Sequence, residues 1–90
     1  MDLTRELRNV VGSGKVHFGV RQAARAVEEG TAKLLIVAKN CPQRESFGKF
    51  KRTYQFDGTN ADLGSACGKP FTISVLTVIE PGESAIMDLL

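Results

Sequence analysis

Few side chains in this 90-residue chain could do covalent chemistry, and they are scattered. His17 is the only histidine, and Ser13, Ser46, Ser65, Ser74 and Ser84 are spread along the chain with nothing to bring one to its imidazole. A hydroxyl nucleophile needs a base in hydrogen-bond reach and a further group to orient that base, so no acyl-transfer site is indicated. Cys41, Cys67 and His17 share no metal-ligand spacing, and the thiols read as small buried hydrophobes. Gly12-Ser13-Gly14-Lys15 imitates part of a phosphate loop, but that loop needs Gly where Asn9 stands and Ser or Thr where Val16 stands. It must also run from strand to helix, and here a helical pattern runs into a strand. Asp57 and Asp62 flank a turn and a helix start, where local hydrogen bonding accounts for a carboxylate. No metal, no cofactor and no enzymatic activity are expected.

Non-covalent chemistry is better served, above all by residues 58–71. Thr59 can cap a short helix, with Asp62 three residues on as a short version of the capping-box acid. Gly68 can take the left-handed conformation that ends a helix, and Pro70 forbids its continuation. So short a helix matters through its ends: backbone N–H groups at one, Lys69 with Phe71 at the other. Free amides, a cation and an aromatic ring are the groups that hold a nucleic-acid loop. The cations support this. Lys15, Arg21, Lys39, Arg44, Lys49, Lys51, Arg52 and Lys69 fall mostly in loops or at element ends, while Glu28, Glu29, Glu80, Glu83 and Asp88 concentrate elsewhere. The net charge of +2 does not by itself announce a polyanion partner.

The elements that must position these groups follow from apolar spacing. Leu3, Leu7, Val10 and Val11 mark an amphipathic helix over 3–11, stopped by Gly12-Ser13-Gly14. A strand over Lys15–Phe18 ends at Gly19. A second helix over 20–29 turns Val20, Ala23, Ala24 and Val27 inward and is closed by Gly30. Leu34–Ala38 is continuously apolar, as in a central strand covered on both faces. Pro42 suits the first turn of a short or frayed helix within 43–51, and Thr53–Phe56 alternates as a strand. After the 59–67 helix comes the longest apolar run, Phe71–Ile79, read as the last strand. Glu80-Pro81-Gly82 turns the chain into a final helical turn that can pack Ile86 and Leu89. The order predicts one α/β domain with helices on both faces of a four-stranded mixed sheet. Charges among residues 1–6 leave no apolar leader, so a cytoplasmic protein with no membrane partner, monomeric when free, is expected.

Four segments carry a resemblance: Phe18-Gly19-Val20-Arg21, the run 32–42, the run from Gly58 through Leu63-Gly64-Ser65-Ala66-Cys67-Gly68-Lys69, and Glu80-Pro81-Gly82-Glu83-Ser84. In this order and at these element ends the chain resembles the ribosomal protein L-thirty-e family, part of the wider L-seven-Ae group of kink-turn RNA binders. The resemblance implies a three-layer α/β/α sandwich in the ribosome's large subunit, bound to a kink-turn of ribosomal RNA beside neighbouring ribosomal proteins. On matching positions it makes Phe18, Gly19, Val20 and Arg21 an RNA-facing loop and Lys39 with Asn40 a second contact. Asn60 is a third, and Gly68, Lys69 and Phe71 form a loop whose ring packs on an unstacked nucleotide. Each has a structural alternative: Gly19 as a helix start, Asn40 as an N-cap, Phe71 as core. A guide-RNA or ribonuclease P component of the same group is the nearest rival reading, and the Cys-Gly-Lys and Pro-Gly-Glu-Ser pieces speak against it. A small α/β enzyme binding a phosphorylated metabolite is the reading from another class, and it lacks an acid–base set.

One departure stands out. Between Pro42 and Thr53 about two helical turns of the family pattern are missing, and Ser46-Phe47-Gly48-Lys49-Phe50-Lys51-Arg52 replaces them. Phe47 and Phe50 must then fill the gap or leave apolar surface exposed, and Arg44 remains near a family contact. The segment is also more basic than the pattern it replaces, which points to ribosomal RNA outside the kink-turn or to an arm that orders on binding.

Overall fold

The structure, a computed structural model, describes residues 2–89. Helix α1 (Leu3–Ser13) starts at Asp2, whose carboxylate accepts from the Arg5 amide at 3.3 Å, and buries Leu7 and Val10. Strand β1 (Lys15–Phe18) leads through Gly19 into α2 (Val20–Glu29), which ends at Gly30 with φ +75°. Strand β2 (Leu34–Val37) is followed by a four-residue helix α3 (Arg44–Phe47) and strand β3 (Thr53–Gln55). Helix α4 (Asn60–Ala66), strand β4 (Val75–Glu80) and a 3-10 turn (Ile86–Leu89) complete the described chain.

The strands form one sheet in the order β1-β4-β2-β3. β4 is antiparallel to both neighbours, with Val16 opposite Val78 and Leu35 opposite Thr77, while β2 and β3 run parallel with Leu35 opposite Thr53. Alternation along β2 and β4 divides the core. Leu34, Ile36, Leu76 and Val78 pack under α1, α4 and the final turn, with Leu7, Val10, Leu63, Cys67 and Ile86. Leu35, Val37 and Val75 pack under α2 and α3, with Ala23, Ala26 and Phe47. The domain is therefore an α/β/α sandwich on a four-stranded mixed sheet. Phe47 and Phe50 close the second face beneath the short α3, and Thr53 Oγ1 donates to the Phe47 carbonyl at 2.8 Å. Burial of both thiols matches the reading of Cys41 and Cys67, and desolvation pushes the Cys67 thiol up to about 11.

Three expectations are corrected. The last strand begins at Val75 rather than Phe71, because Phe71–Ile73 docks on α4 and only Ser74 still reaches β2. Ile73 donates to the Asn60 carbonyl at 3.0 Å, and Ser74 accepts from Ala38 at 2.8 Å. On α2 the inward alanines are Ala23 and Ala26, and Ala24 is exposed. β2 ends at Val37 and β3 at Gln55, one residue short of the apolar patterns.

Pro81–Ser84 is a clasp on α1. Gly82 has φ +60°, and a Cβ there would lie 2.6 Å from the Ser13 carbonyl. Glu83 N donates to Ser13 Oγ at 3.1 Å, and Ser84 Oγ donates to the Glu6 carbonyl at 2.9 Å. Glu6 Oε1 accepts from the Ala85 amide at 2.9 Å, and this bond first, then those from Ser84 and Asn9, holds the carboxyl below its ordinary value of 4.5. A lowered folded value means the stabilisation is complete above the ordinary value and fades as pH falls through the folded one. As pH falls below the ordinary carboxylate value, the wild type should lose more stability than Glu6→Gln, measured by urea melts. Parallel acid profiles would remove Glu6 from the clasp's energetics.

Candidate nucleic-acid interface

The sheet topology gathers the candidate residues at one end. Phe18, Val37 and Gln55 are the last residues of β1, β2 and β3, and antiparallel β4 starts at that same end with Val75. Everything that follows β1, β2 and β3, or precedes β4, is therefore brought to this rim. The carboxyl end of an open α/β sheet is where such folds ordinarily bind ligands.

Gly19 occupies the β1–α2 junction with φ +100°, a region closed to most side chains, and its amide donates to the Val75 carbonyl at 2.9 Å. It makes no side-chain cap, so the first-turn amides of α2, at Val20, Arg21 and Gln22, have no protein acceptor among the described residues. A helix start left open in this way presents free amides and the positive end of the helix, and Arg21 is exposed beside it. Phe18 and Phe71 meet edge to face with centroids 5.7 Å apart, and Lys69 Nζ stands 5.9 Å from the Phe18 ring centroid. Phe71 is 50% exposed, so the alternative of a core phenylalanine is overturned. Its position is set by backbone contact: Gly64 on α4 is buried against the Phe71 carbonyl, which any Cβ at 64 would strike. A shallow cleft of about 250 Å³ between α4 and this loop is lined by Ala61, Ser65, Lys69, Pro70, Phe71 and Thr72.

Asn40 and Asn60 form the second group. Asn40 Oδ1 accepts from the Asn60 amide at 2.8 Å, and Asn40 Nδ2 donates to Asn60 Oδ1 at 3.2 Å. One hydrogen on Asn40 Nδ2 and both on Asn60 Nδ2 find no partner among the described residues. Asn40 thus closes α4, in the neighbouring element, rather than capping a helix of its own. Thr59 and Asp62 complete a reciprocal capping box at the same helix end. The amides at the start of α4 are largely consumed by these bonds, so free helix-start N–H groups are found on α2 and not on α4. Lys39 is exposed, with its amide fixed to the Gly58 carbonyl at 2.7 Å. Arg44 stands at the β3 side of the rim, where its guanidinium donates to Gln55 Oε1 at 3.0 Å. Gly68 has φ +75° and lies beneath Arg8, whose Nε would be 3.6 Å from a Cβ at 68.

The pattern that defines the ribosomal protein L7Ae/L30e/S12e/Gadd45 family matches residues 1–88. The chain belongs to this family. Relatives named large ribosomal subunit protein eL30 agree with it almost end to end. That of Methanospirillum hungatei is 42% identical over 99% of this chain and 98% of its own length. That of Methanosphaera stadtmanae is 41% identical over 99% and 98%. That of Methanothrix thermoacetophila is 40% identical over 100% and 90%. Family members of this kind are ribosomal components and not enzymes.

Two segments singled out in the sequence do different work in this chain. Leu63–Lys69 builds α4 and its exit into the rim loop, whereas Pro81–Ser84 fastens the chain's end to α1, away from the rim. Sequence reasoning missed Gly64, Gln55 and Arg8. Gly64 had a signal, since a glycine inside a capped helix costs about 1 kcal/mol and marks close approach. Gln55 and Arg8 had none, being polar residues on ordinary solvent-facing positions.

Proposed function

We propose that this chain is a structural component of the large ribosomal subunit that binds ribosomal RNA, and that the RNA element is a kink-turn held at the sheet rim. The observation that carries the reading is the convergence there of open α2 amides, the Asn40–Asn60 amide pair, and exposed Phe71 flanked by Lys69. RNA is read by shape, by splayed bases and by stacking. In this assignment α2 and Arg21 take a phosphate, the free amide hydrogens of Asn40 and Asn60 read base edges, and Phe71 stacks on an extruded nucleotide with Phe18 behind it. Lys39, Lys69 and Arg44 supply phosphate contacts, and Gly19, Val20 and Gly68 let backbone approach backbone. The protein is a monomer when free and works on the ribosome, beside neighbouring large-subunit proteins.

Phe71→Ala and Lys69→Ala separate these roles. Phe71→Ala should weaken binding to a kink-turn RNA by about 1–3 kcal/mol, the worth of one base stack, with little change in stability. Lys69→Ala should reduce the slope of log K against log salt by about 1. Unchanged affinity in the first variant and an unchanged slope in the second would take the rim loop out of the interface.

A further inference from the structure

The turn between α3 and β3 carries charge that neither the fold nor the rim accounts for. Of the chain's 12 cations, four fall in residues 44–52 beside a single acid, Glu45, so the segment carries +3. The rest of the chain, with eight cations against nine acids, carries −1. Arg44 donates to Gln55 at the rim, but the side chains of Lys49, Lys51 and Arg52 are exposed and have no carboxylate or hydrogen-bonding partner among the described residues. Edge strands often carry lysines that deter pairing with another sheet, and those stand on the strand itself. Here β3 is the edge strand, Thr53-Tyr54-Gln55 holds no charge, and all three cations precede it.

The turn is ordered by its neighbours. The Arg52 carbonyl accepts from Leu35 N at 2.8 Å, and Phe50 leans on the core between the cations. A groove of about 590 Å³ lined by Pro42, Arg44, Glu45, Gly48, Lys49 and Gln55 runs beside it. Because β3 rises about 3.3 Å per residue, Arg52 lies roughly 10 Å below Gln55 and the rim. Arg52 therefore sits at the opposite end of β3 from the rim that carries Asn40 and Phe71.

We infer that Lys49, Lys51 and Arg52 form a second phosphate-binding strip along the β3 edge, which takes the backbone of an RNA helix flanking the nucleotides held at the rim. Glu45 on the groove wall repels phosphate, so the contacts run along the 49–52 turn, which meets the groove only at Lys49. The strip reads no sequence and contributes through counterion release. The inference rests on the RNA-binding reading of the rim.

The test compares wild type with the triple variant Lys49→Ser/Lys51→Ser/Arg52→Ser, whose altered side chains are all exposed. Four RNAs are titrated over a range of salt: a kink-turn with minimal flanks, the same kink-turn with one flank extended by a helical turn, made once for each side, and a bulge-free duplex of the extended length. On one extended kink-turn the triple variant's salt slope should be shallower by about 2–3, with no change on the minimal RNA. Equal slopes for the two proteins on every extended RNA would overturn the strip. An equal loss on the minimal RNA would also overturn it, by placing the cations in the rim site. Wild-type binding that does not distinguish kinked from bulge-free RNA would instead count against the rim reading, whatever the variant does.

Discussion

Gly64→Ala should destabilise the protein and weaken its hold on RNA together. In an unconstrained helix this change stabilises by about 1 kcal/mol, because alanine is the better helix former. Here the added methyl meets the Phe71 carbonyl, with the Phe71 carbonyl carbon 3.1 Å and Thr72 Cα 3.3 Å away. Those are backbone atoms, held by Ile73 N to the Asn60 carbonyl at 3.0 Å and by Lys69 N to the Gly64 carbonyl at 2.9 Å. The clash therefore has no flexible side chain to absorb it, and overpacking of this kind costs about 1–3 kcal/mol. In a domain of this size each kcal/mol lowers Tm by about 4–8 °C. Displacing 71–72 also swings Phe71 away from Phe18, so affinity for kinked RNA should fall even at temperatures where the variant is folded. A thermal melt and a titration below the transition decide it. A raised Tm with full RNA affinity would show that the loop yields and that Gly64 does not place Phe71.

Asn40→Ala should cost about 1–3 kcal/mol of RNA affinity, roughly 5- to 150-fold, as for a lost base contact. It also removes the acceptor for Asn60 N, so part of any loss could arise from a loosened α4 start. Asn40→Asp distinguishes the two. The aspartate keeps an oxygen for the Asn60 amide and suits a helix N-terminus, but it has no hydrogen to donate and sets a negative charge against the RNA. The expected pattern is a small loss of stability in Asn40→Ala, none in Asn40→Asp, and weak RNA binding in both. Wild-type affinity in Asn40→Asp would leave Asn40 as a helix tie and nothing more.

What could be read from the chain alone, and what could not, divides along contact distance. The Thr59–Asp62 capping box, the Gly30 helix end and the buried run of β2 were legible because each is decided within a few residues. Phe71 was not. Phe71 and Ile73 stand in the same phase of the alternating stretch Phe71-Thr72-Ile73-Ser74-Val75, so nothing in it separates the buried Ile73 from Phe71 at the rim, and only the docking of residues 71–74 on α4 and β2 breaks the pattern. Ala24 and Ala26 exchanged roles because alanine suits either side of a helix. The expectation of free amides failed on α4 alone, since the sequence shows a helix start there but not that Asn40, 20 residues earlier, closes it. Opposite logic favoured α2: Gly19 offers no side chain for a cap, and its amides are open as a result. The Pro81–Ser84 motif read as a turn, and its purpose depends on Glu6, 78 residues away from Ser84.

Titration of the purified protein with a short kink-turn RNA, beside the same RNA with its bulge removed, tests the central claim most directly. Tight binding to the kinked RNA, with the bulge-free duplex bound far more weakly at the same salt, is the result this account predicts. Equal, salt-sensitive binding to both would contradict it, and would reduce the rim to a basic surface without shape recognition.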